Sequence, residues 1–402
     1  MRAVVFTLGC KVNEAESASI LAALEQMGWD VDDRLSYADA YVLNTCAVTR
    51  EAERKSRQLI SRAKKFNPDA QIFVCGCASE KDRDSFLKRG VTFVTGARRK
   101  QDVIDAFAER YGNKSVFLPY PKQTRTRAFI KIQDGCNNFC SYCIIPYLRG
   151  REVSRPIEDI LNEINCTESS EIVLNGINIS SYEGGLERLI VALKGVDKRI
   201  RLGSLECLAI TDGLLTALKE LKDFAPQFHL SLQSGSNAVL KAMNRHYTRG
   251  QYLEKCAKIY SYFPDAAITC DIIAGFATET EEDFEESLSI IDEVGFARIH
   301  AFAYSPREGT AAYKMKDIPP DIKSERLHRL LNAGKISEER YISRFLGTER
   351  EIIAEEYEGE YTSGYTDNYI RVYVRGNLTA GKKYRVKLKE RFKDGVLAVN
   401  ER

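Results

Sequence analysis

The sequence lacks any apolar run long enough to cross a lipid bilayer, so no membrane-spanning segment is expected. Its first residues, MRAVVFTLGCKVN, also lack the basic start, the long apolar stretch and the small-residue cleavage site of a secretory signal. It has no internal repeat and no low-complexity tract. Eleven cysteines without an export signal favour a reducing cytoplasm, where thiols serve metal sites rather than disulfides.

The chain also has little net charge, +2 at pH 7, which argues against a uniformly basic nucleic-acid binder. Phosphate contacts depend on local charge density, however, and lysine and arginine are concentrated in residues 371–402. That segment is a candidate RNA surface, and an ordinary solvated strand face is the alternative. Its candidate RNA-binding residues are Lys382, Lys383, Arg385 and Lys387.

At 402 residues the chain is too long for one hydrophobic core, and its patterns predict three domains. Residues 1–115 alternate short apolar strands with helices, which is typical of an α/β domain with a parallel sheet. A segment rich in Gly, Pro and cations near 112–127 suits a linker. Residues 122–342 hold six strand–helix units, which predict a partial, open (β/α)6 barrel. Residues 343–402 predict a small antiparallel β-barrel.

Three cysteines of the first domain each follow a predicted strand: Cys10, Cys46 and Cys77. The carboxyl ends of parallel strands meet at one edge of a sheet, where such folds hold ligands. We therefore expect the three thiols to converge. For each cysteine taken singly, a small buried side chain is the ordinary alternative.

The segment after Cys46 predicts a helix that begins behind Thr49, a residue type that caps helix N-termini. Three arginines, Arg50, Arg54 and Arg57, fall near one face of that helix. They are candidates for guiding RNA phosphates toward the cysteines, and an ordinary solvated face is the alternative.

A second set of cysteines, Cys136, Cys140 and Cys143, lies in the run IKIQDGCNNFCSYCIIPYLRG. No fourth cysteine follows nearby, and the nearest histidine is His229. A structural zinc site normally uses four ligands, so three cysteines favour an iron–sulfur cluster with one open iron. The alternative is a zinc site with a remote fourth ligand. The run resembles the signature of radical S-adenosylmethionine (SAM) enzymes, in which SAM occupies that open iron.

Polar residues at the ends of the predicted barrel strands are candidates for binding SAM, although each could instead be a cap or a turn. Arg149, Arg151 and Arg245 are candidates for contacts to the SAM carboxylate or to a substrate phosphate, with surface salt bridges as the alternative. The strand-end candidates are Asn175, Gly176, Ser204, Glu206, Gln233, Ser234 and Gly275.

Further runs, among them TLGCKVNEAES, NTCAVT, GCASE and HLSLQSGSNAVLKAMNRHYT, extend a resemblance over the whole chain. The chain resembles the radical SAM methylthiotransferases, whose domain order is a methylthiotransferase domain, a radical SAM barrel and a C-terminal TRAM barrel. The run TLGCKVN resembles the branch that acts on threonylcarbamoyladenosine in tRNA.

The resemblance implies two [4Fe–4S] clusters, one on Cys136, Cys140 and Cys143 that cleaves SAM to a radical, and an auxiliary one that supplies sulfur. The product would be the 2-methylthio derivative of threonylcarbamoyladenosine at position 37. The implied partners are a tRNA anticodon stem-loop and a flavodoxin- or ferredoxin-like electron donor, with the chain acting as a monomer. The implied ligands of the auxiliary cluster are Cys10, Cys46 and Cys77.

The remaining cysteines match no ligand position of the family. Cys75 is interpreted as a non-ligand beside Cys77, and four others are expected to pack as small apolar side chains. Those four are Cys166, Cys207, Cys256 and Cys270.

Other functions stay open at this point. A related methylthiotransferase could act on isopentenyladenosine in tRNA or on an aspartate of a ribosomal protein, although TLGCKVN and the basic C-terminal segment weigh against both. A protein of another class, a non-catalytic RNA-binding metalloprotein, would use its cysteines only to shape the fold.

Overall fold

The computed structural model describes residues 1–121, 123 and 126–400. The N-terminal domain has five parallel strands in the order β2-β1-β3-β4-β5. The middle strand of the sheet, β3, is buried along its whole length, as expected for a parallel sheet covered on both faces. The strands are β1 (Arg2–Thr7), β2 (Asp30–Asp32), β3 (Ala40–Thr45), β4 (Gln71–Gly76) and β5 (Phe93–Val94).

Helices cover both faces of this sheet because successive side chains of a strand point to opposite faces. Val42 packs in a core with Ile20 and Phe107, whereas its neighbour Leu43 packs in a second core with Leu59. Thr49 caps the second helix by accepting a hydrogen bond from the Ala52 N–H, which confirms the predicted start. The helices are α1 (Lys11–Gln26), α2 (Arg50–Phe66), α3 (Cys77–Lys81), α4 (Arg83–Leu87) and α5 (Lys100–Tyr111).

The central domain is the predicted open barrel, built on six main parallel strands. Its strands form two four-stranded sheets, β7-β6-β8-β9 and β10-β11-β12-β13. A single parallel bridge between Ile200 and Phe224 joins them. The strands are β6 (Arg127–Asp134), β7 (Val153–Ser154), β8 (Glu171–Gly176), β9 (Arg199–Leu202), β10 (Ser204–Leu205), β11 (Gln227–Leu230), β12 (Ala267–Ala274) and β13 (Arg298–Ala303).

Eight helices surround these strands within the described residues. Two of them begin with reciprocal capping boxes, at Thr248 with Gln251 and at Thr280 with Asp283, as their sequences favour. No helix of the described chain is both long and apolar enough to span a membrane. The helices are α6 (Ile145–Arg149), α7 (Ile157–Cys166), α8 (Leu186–Ala192), α9 (Asp212–Lys219), α10 (Asn237–Ala242), α11 (Arg249–Tyr262), α12 (Glu281–Val294) and α13 (Pro320–Ser343).

The barrel strands turn polar side chains toward the barrel interior. Ile130, Leu174 and Phe228 pack in the core formed with the helices, so the alternate positions of their strands face inward. Glu171 and Arg201 pair there through two hydrogen bonds of 2.8 and 3.1 Å. The interior is therefore polar, unlike the apolar interior of a complete eight-stranded barrel. Inward positions are Arg127, Glu171, Arg201, His229, Asp271 and His300.

The C-terminal domain is a closed five-stranded barrel in the order β14-β15-β16-β18-β17. Four of its strand pairs are antiparallel, which confirms the predicted antiparallel barrel, and β16 and β18 pair in parallel where the barrel closes. The reason is topological, because the last strand inserts between β17 and β16 to close the barrel. The strands are β14 (Glu349–Glu358), β15 (Tyr361–Thr366), β16 (Arg371–Arg375), β17 (Lys383–Phe392) and β18 (Gly395–Asn400).

The C-terminal barrel packs against the central barrel at the end where β6 and β9 begin. Arg127 pairs with Glu355, and Arg199 pairs with Glu351 at 2.5 Å. The guanidinium of Arg127 also lies 4.6 Å from the centre of the Tyr365 ring. Charge pairs and cation–π contacts thus join the two barrels.

Candidate active site

The N-terminal cysteines lie together at one edge of the first sheet, as the sequence predicts. Cys10, Cys46 and Cys77 follow β1, β3 and β4, which are neighbours in the sheet. The loops approach closely because glycines precede two of the cysteines. A Cβ atom at Gly9 would lie 3.0 Å from Cys46 Cβ and 3.1 Å from its Sγ, and one at Gly76 would lie 2.3 Å from the Thr45 carbonyl oxygen. Both glycines have positive φ, so a side chain is excluded by conformation as well as by space.

Buried amides and hydroxyls fix this edge of the sheet. Asn13 Nδ2 donates to the carbonyl oxygens of Leu8 and Thr45, at 2.7 and 3.1 Å, and so joins the loops that carry Cys10 and Cys46. Ser56 Oγ accepts from the Cys46 N–H at 3.1 Å. Polar groups of this kind orient metal ligands and tune a metal site.

The N-terminal thiols do not form a single-ion site within the described residues. Among the described residues, no three His, Cys, Asp or Glu side chains lie close enough to hold one metal ion. Tetrahedral zinc with bonds of about 2.3 Å would need its sulfurs about 4 Å apart, whereas a four-iron cluster is wider. Burial, together with the nearby Cys77 and Cys10 thiols, raises the pKa of Cys46 to about 11. The role of these three cysteines as cluster ligands stays a prediction.

The second set of cysteines occupies one loop between β6 and α6. The Cys136 N–H donates to the Gly150 carbonyl at 3.2 Å, and the Cys143 N–H donates to the Cys140 carbonyl at 2.9 Å. Asn244 Nδ2 holds the intervening residues by donating to the Asn138 and Phe139 carbonyls. The loop is thus fixed at both ends and in the middle.

The thiols of this loop are also partly or fully buried. Burial raises the pKa of Cys136 to about 11 and that of Cys143 to about 12. Arg245 Nη1 donates to Cys140 Sγ at 3.3 Å, and Arg245 Nη2 pairs with Glu206 at 3.1 Å. Three thiolates with one cationic neighbour fit the open cluster predicted from the sequence, and their ligand role stays a prediction.

The predicted SAM-binding residues lie at or just after the carboxyl ends of β8, β9, β10, β11 and β12, on the side of the barrel where the three-cysteine loop begins. Asn175 and Gly176 end β8, Ser204 begins β10 and is exposed, and Gly275 follows β12. Asn175 Oδ1 is buried and finds no protein partner in the described chain, so it is available to a ligand. The Gly275 N–H instead donates to Glu279 at 2.8 Å.

Three other candidates have partners within the protein. Glu206 accepts from Asn138 Nδ2 at 2.7 Å besides pairing with Arg245. Ser234 is fully buried, 3.3 Å from the Ser287 hydroxyl. Gln233 adopts a positive φ, and its backbone rather than its side chain bonds to β12. SAM contacts by these residues stay predictions.

Arg149 occupies a place that the sequence did not indicate. Its side chain is fully buried and donates to Glu16, Asp134, Asn13 and Cys77, so it cannot serve a SAM carboxylate or a substrate phosphate. The sequence does not indicate these contacts, because Glu16, Asn13 and Cys77 lie far from Arg149 along the chain.

Arg151 and Arg245 have different surroundings. Arg151 is exposed, and its guanidinium lies 4.8 Å from the centre of the Phe139 ring inside the three-cysteine loop. Arg245 is buried beside Cys140. Cys166 corrects another expectation: it ends α7 and is exposed, whereas Cys207, Cys256 and Cys270 are buried as expected.

The candidate RNA-binding residues lie in two places. On α2, Arg50 is exposed, Arg54 lies 3.5 Å from Glu51, and Arg57 lies 3.5 Å from Glu53. On the C-terminal barrel, Lys382 and Arg385 are exposed, and Lys387 is half-buried. Lys383 is already paired with Asp223 and Glu351. RNA contacts by either group stay predictions.

Lys11 is a cation that the sequence reasoning missed. It follows Cys10 and opens α1, its side chain is exposed, and Asn175 Nδ2 donates to its carbonyl at 3.4 Å. Desolvation by the surrounding protein lowers the pKa of Lys11, and the nearby cations Arg201 and Arg127 lower it further. Its position directly after Cys10 was the one signal that could have identified it.

Comparison with protein families divides the chain as the structure does. Residues 2–96 match the uncharacterized protein family UPF0004, and residues 130–291 match the Radical SAM superfamily. The first match spans the sheet that carries the N-terminal cysteines, and the second spans most of the barrel.

Curated relatives match across nearly the whole chain. Threonylcarbamoyladenosine tRNA methylthiotransferase MtaB of Chlamydia pneumoniae is 39% identical over 365 residues, covering 88% of this chain and 86% of its own length. The MtaB protein of Bacillus subtilis is 37% identical, with coverages of 89% and 85%. A tRNA-2-methylthio-N(6)-dimethylallyladenosine synthase of Fervidobacterium nodosum is also 37% identical, with 88% of each chain covered.

A solved structure shares the fold. The radical S-adenosylmethionine methyltransferase TsrM of Kitasatospora setae superposes with a TM-score of 0.53 at 14% identity, covering 76% of each chain. The fold is therefore that of radical SAM enzymes, which implies SAM and a [4Fe–4S] cluster. Together with the identity to curated relatives, it shows that the chain belongs to the radical SAM tRNA methylthiotransferases.

Proposed function

We propose that the chain adds a methylthio group to carbon 2 of N6-threonylcarbamoyladenosine at position 37 of tRNA, using SAM and two [4Fe–4S] clusters. The observation that carries this proposal is the presence of two separate sets of three cysteines, each beside the carboxyl ends of parallel strands, in a chain of the methylthiotransferase family.

The two sets of cysteines suit different tasks. When bound, the cluster on Cys136, Cys140 and Cys143 supplies the electron for radical cleavage of SAM, and the auxiliary cluster supplies the sulfur. The protein's own residues position the ligands and bury part of them: Cys46 and Cys77 are 5% and 3% exposed, whereas Cys10 is open to solvent. Asn175, whose buried Oδ1 has no partner within the described chain, is placed to accept a hydrogen bond from SAM.

The position of Lys11 favours a substrate that carries a carboxylate, such as the threonylcarbamoyl group. Lys11 lies next to Cys10, and in the described part of the chain no carboxylate forms an ion pair with its ammonium group. Arg201 and Arg127 lie nearby but are paired with Glu171, so the positive charge available to an anion here is that of Lys11. The threonylcarbamoyl group carries a carboxylate, whereas an isopentenyl group contains only carbon and hydrogen.

The proposed macromolecular partners are a tRNA anticodon stem-loop and an electron donor. The C-terminal barrel, with Arg385 and Lys382 exposed, would hold the anticodon stem-loop, whose looped-out bases are the usual targets of RNA-modifying enzymes. The cysteines of the described chain are all free thiols, which suits a reducing cytoplasm and reduction by a flavodoxin- or ferredoxin-like donor. We expect the chain to act as a monomer.

Isopentenyladenosine is the second candidate substrate. The Fervidobacterium nodosum relative, named for the dimethylallyladenosine product, is as similar to this chain as the Bacillus subtilis MtaB protein. Overall sequence identity therefore does not discriminate between the two substrates. The positive charge of Lys11 favours the threonylcarbamoyl group.

The test uses tRNA from a strain that lacks this protein, treated with the anaerobically reconstituted enzyme and digested for nucleoside mass spectrometry. We expect 2-methylthio-threonylcarbamoyladenosine to form. Replacement of Lys11 with Gln should lower kcat/KM for this tRNA about 10- to 100-fold, the scale of one lost charged hydrogen bond of about 1.5–3 kcal/mol.

Release of 5′-deoxyadenosine from SAM should continue in the Lys11→Gln variant. Lys335, exposed on α13, provides the matched control, since Lys335→Gln should leave both activities unchanged. Formation of methylthio-isopentenyladenosine alone would replace the substrate assignment with the second candidate.

A further inference from the structure

A buried group of charged side chains joins the N-terminal domain to the central barrel. Arg149 Nη1 lies 3.0 Å from Glu16 Oε1 and 3.1 Å from both oxygens of Asp134. Lys131 lies 2.9 Å from Glu16, and Lys100 lies 3.2 Å from its other oxygen. Glu16 and Lys100 belong to the N-terminal domain, and the other three belong to the barrel. This interface is therefore held by ion pairs whose side chains are largely buried, except that of Lys131, which is 26% exposed.

The charges of this group do not balance. Arg149, Lys100 and Lys131 are three cations, whereas Glu16 and Asp134 are two carboxylates. The side chain of Lys131 is 26% exposed, so water hydrates the surplus charge. Cys77 Sγ lies 3.4 Å from Arg149 Nε, so a sulfur atom as well as the carboxylates contacts the buried guanidinium.

The contacts of the Arg149 guanidinium with residues other than Cys77 fix its orientation. Nη1 is held by Glu16 and Asp134, and Nη2 donates to Asn13 Oδ1 at 2.7 Å. Because the guanidinium is planar, these contacts determine where Nε points, and it points at Cys77. The side chain is completely excluded from solvent, so water does not screen the contact.

We infer that Arg149 is a positioning residue for the iron–sulfur group of the N-terminal cysteines, which it reaches from the opposite domain. Its hydrogen bond to Cys77 stabilises the more negative, reduced form of that group and so raises its reduction potential. Its pairs with Glu16 and Asp134 hold the barrel against the domain that carries the sulfur source. The inference rests on the proposed function, because it requires a cluster at Cys77.

Arg245 offers a matched control within the same chain. It donates to Cys140 Sγ at 3.3 Å and is nearly as buried as Arg149, but it acts on the other set of cysteines. Each arginine should therefore affect one cluster and leave the other unchanged.

The experiment is a redox titration of the fully loaded, full-length protein, followed by electron paramagnetic resonance. Each set has three cysteines, so the signals are assigned with a ligand variant: the signal that persists in Cys140→Ala belongs to the auxiliary cluster, and the SAM-responsive signal that this variant loses belongs to the other. In Arg149→Lys, which keeps the charge but loses the Nε donor, we expect the auxiliary midpoint potential to move to a more negative value. Arg149→Gln should move it further, and Arg245→Lys should move only the SAM-responsive signal.

The outcomes separate the inference from the proposed function. If both clusters load and the auxiliary potential is the same in wild type, Arg149→Lys and Arg149→Gln, the inference is wrong while the two-cluster proposal stands. Equal shifts of both signals would also overturn it, since that would indicate a general loosening of the fold. If the wild-type chain binds only about four irons, the two-cluster proposal fails and the inference fails with it.

Discussion

The two sets of cysteines are built in opposite ways. Cys136, Cys140 and Cys143 share one loop, and hydrogen bonds to Gly150 and to Asn244 of the same domain hold it in place. Cys10, Cys46 and Cys77 come from three strand ends that meet only after the sheet has formed. The cysteines of the first set thus come from one short segment, whereas those of the second set come together only in the folded domain.

Each set has one buried arginine at a sulfur atom, and here too the sets differ. Arg245 belongs to the same domain as Cys140, whereas Arg149 reaches Cys77 across a domain interface. The set formed by Cys10, Cys46 and Cys77, here called the distributed site, therefore depends on docking between domains. The set formed by Cys136, Cys140 and Cys143, the local site, does not. Substitutions that act on only one of these properties can test the difference.

The largest effects should follow removal of a ligand. Cys140→Ala should abolish release of 5′-deoxyadenosine from SAM, and with it all product. Cys46→Ala should retain SAM cleavage but lose methylthio transfer, with iron content falling from about eight to about four per chain. Iron analysis and chromatography of the nucleosides measure both. Methylthiolation by Cys46→Ala would remove the auxiliary cluster from the mechanism.

Gly76→Ala should disable the distributed site alone. Its Cβ would lie 2.3 Å from the Thr45 carbonyl oxygen, so the loops that carry Cys46 and Cys77 must separate. We expect about four irons per chain and normal SAM cleavage. Gly28 also has positive φ, but nothing lies within 4 Å of its added Cβ. Gly28→Ala should cost only about 1–2 kcal/mol of stability and keep both clusters.

The two arginines should differ in their effect on stability. Arg149→Met leaves Glu16 and Asp134 buried without their main partner, which should cost about 3–5 kcal/mol in urea unfolding of the iron-free chain. Arg245→Met leaves Glu206, whose side chain is 27% exposed and can be hydrated, so its cost should be about 1–2 kcal/mol. Equal costs would contradict the distinction between local and interdomain support.

The smallest effects should follow substitutions on the C-terminal barrel, which should weaken tRNA binding and leave both sets of cysteines unchanged. Arg385→Ala removes an exposed cation of β17 and should weaken tRNA binding a few-fold, lowering the slope of log affinity against log salt by about one. Lys383→Ala should change this slope less, because Asp223 and Glu351 already neutralise Lys383. Iron content should not change in either variant, and filter binding at several salt concentrations measures the slopes.

Much of the architecture could be predicted because it follows from local pattern. The Thr49 cap, the parallel sheet with cysteines at its strand ends and the six strand–helix units are each encoded within short segments. The closing pair of β16 and β18 could not be predicted in the same way, because its parallel direction depends on where the last strand inserts.

The limits at the candidate site have a similar cause. Arg149 was interpreted as a residue for an anionic ligand, since the sequence shows its charge but not its distant partners Glu16 and Cys77. Cys166 was expected to be buried because cysteine usually is, but it ends α7 on the exposed side. Residue type predicted the chemistry of these positions, and long-range packing decided their surroundings.

The pairing of the two barrels limits how the chain can be divided. Arg199 is only 1% exposed, and its partner Glu351 belongs to the C-terminal barrel, as does Glu355, the partner of Arg127. A fragment that ended after α13 would uncover this end of the central barrel and leave Arg199 only Asp223, and Arg127 only Glu171, as ion-pair partners within the described residues. The C-terminal barrel therefore covers one end of the central barrel. A different barrel could replace it only if it carried carboxylates at the positions of Glu351 and Glu355.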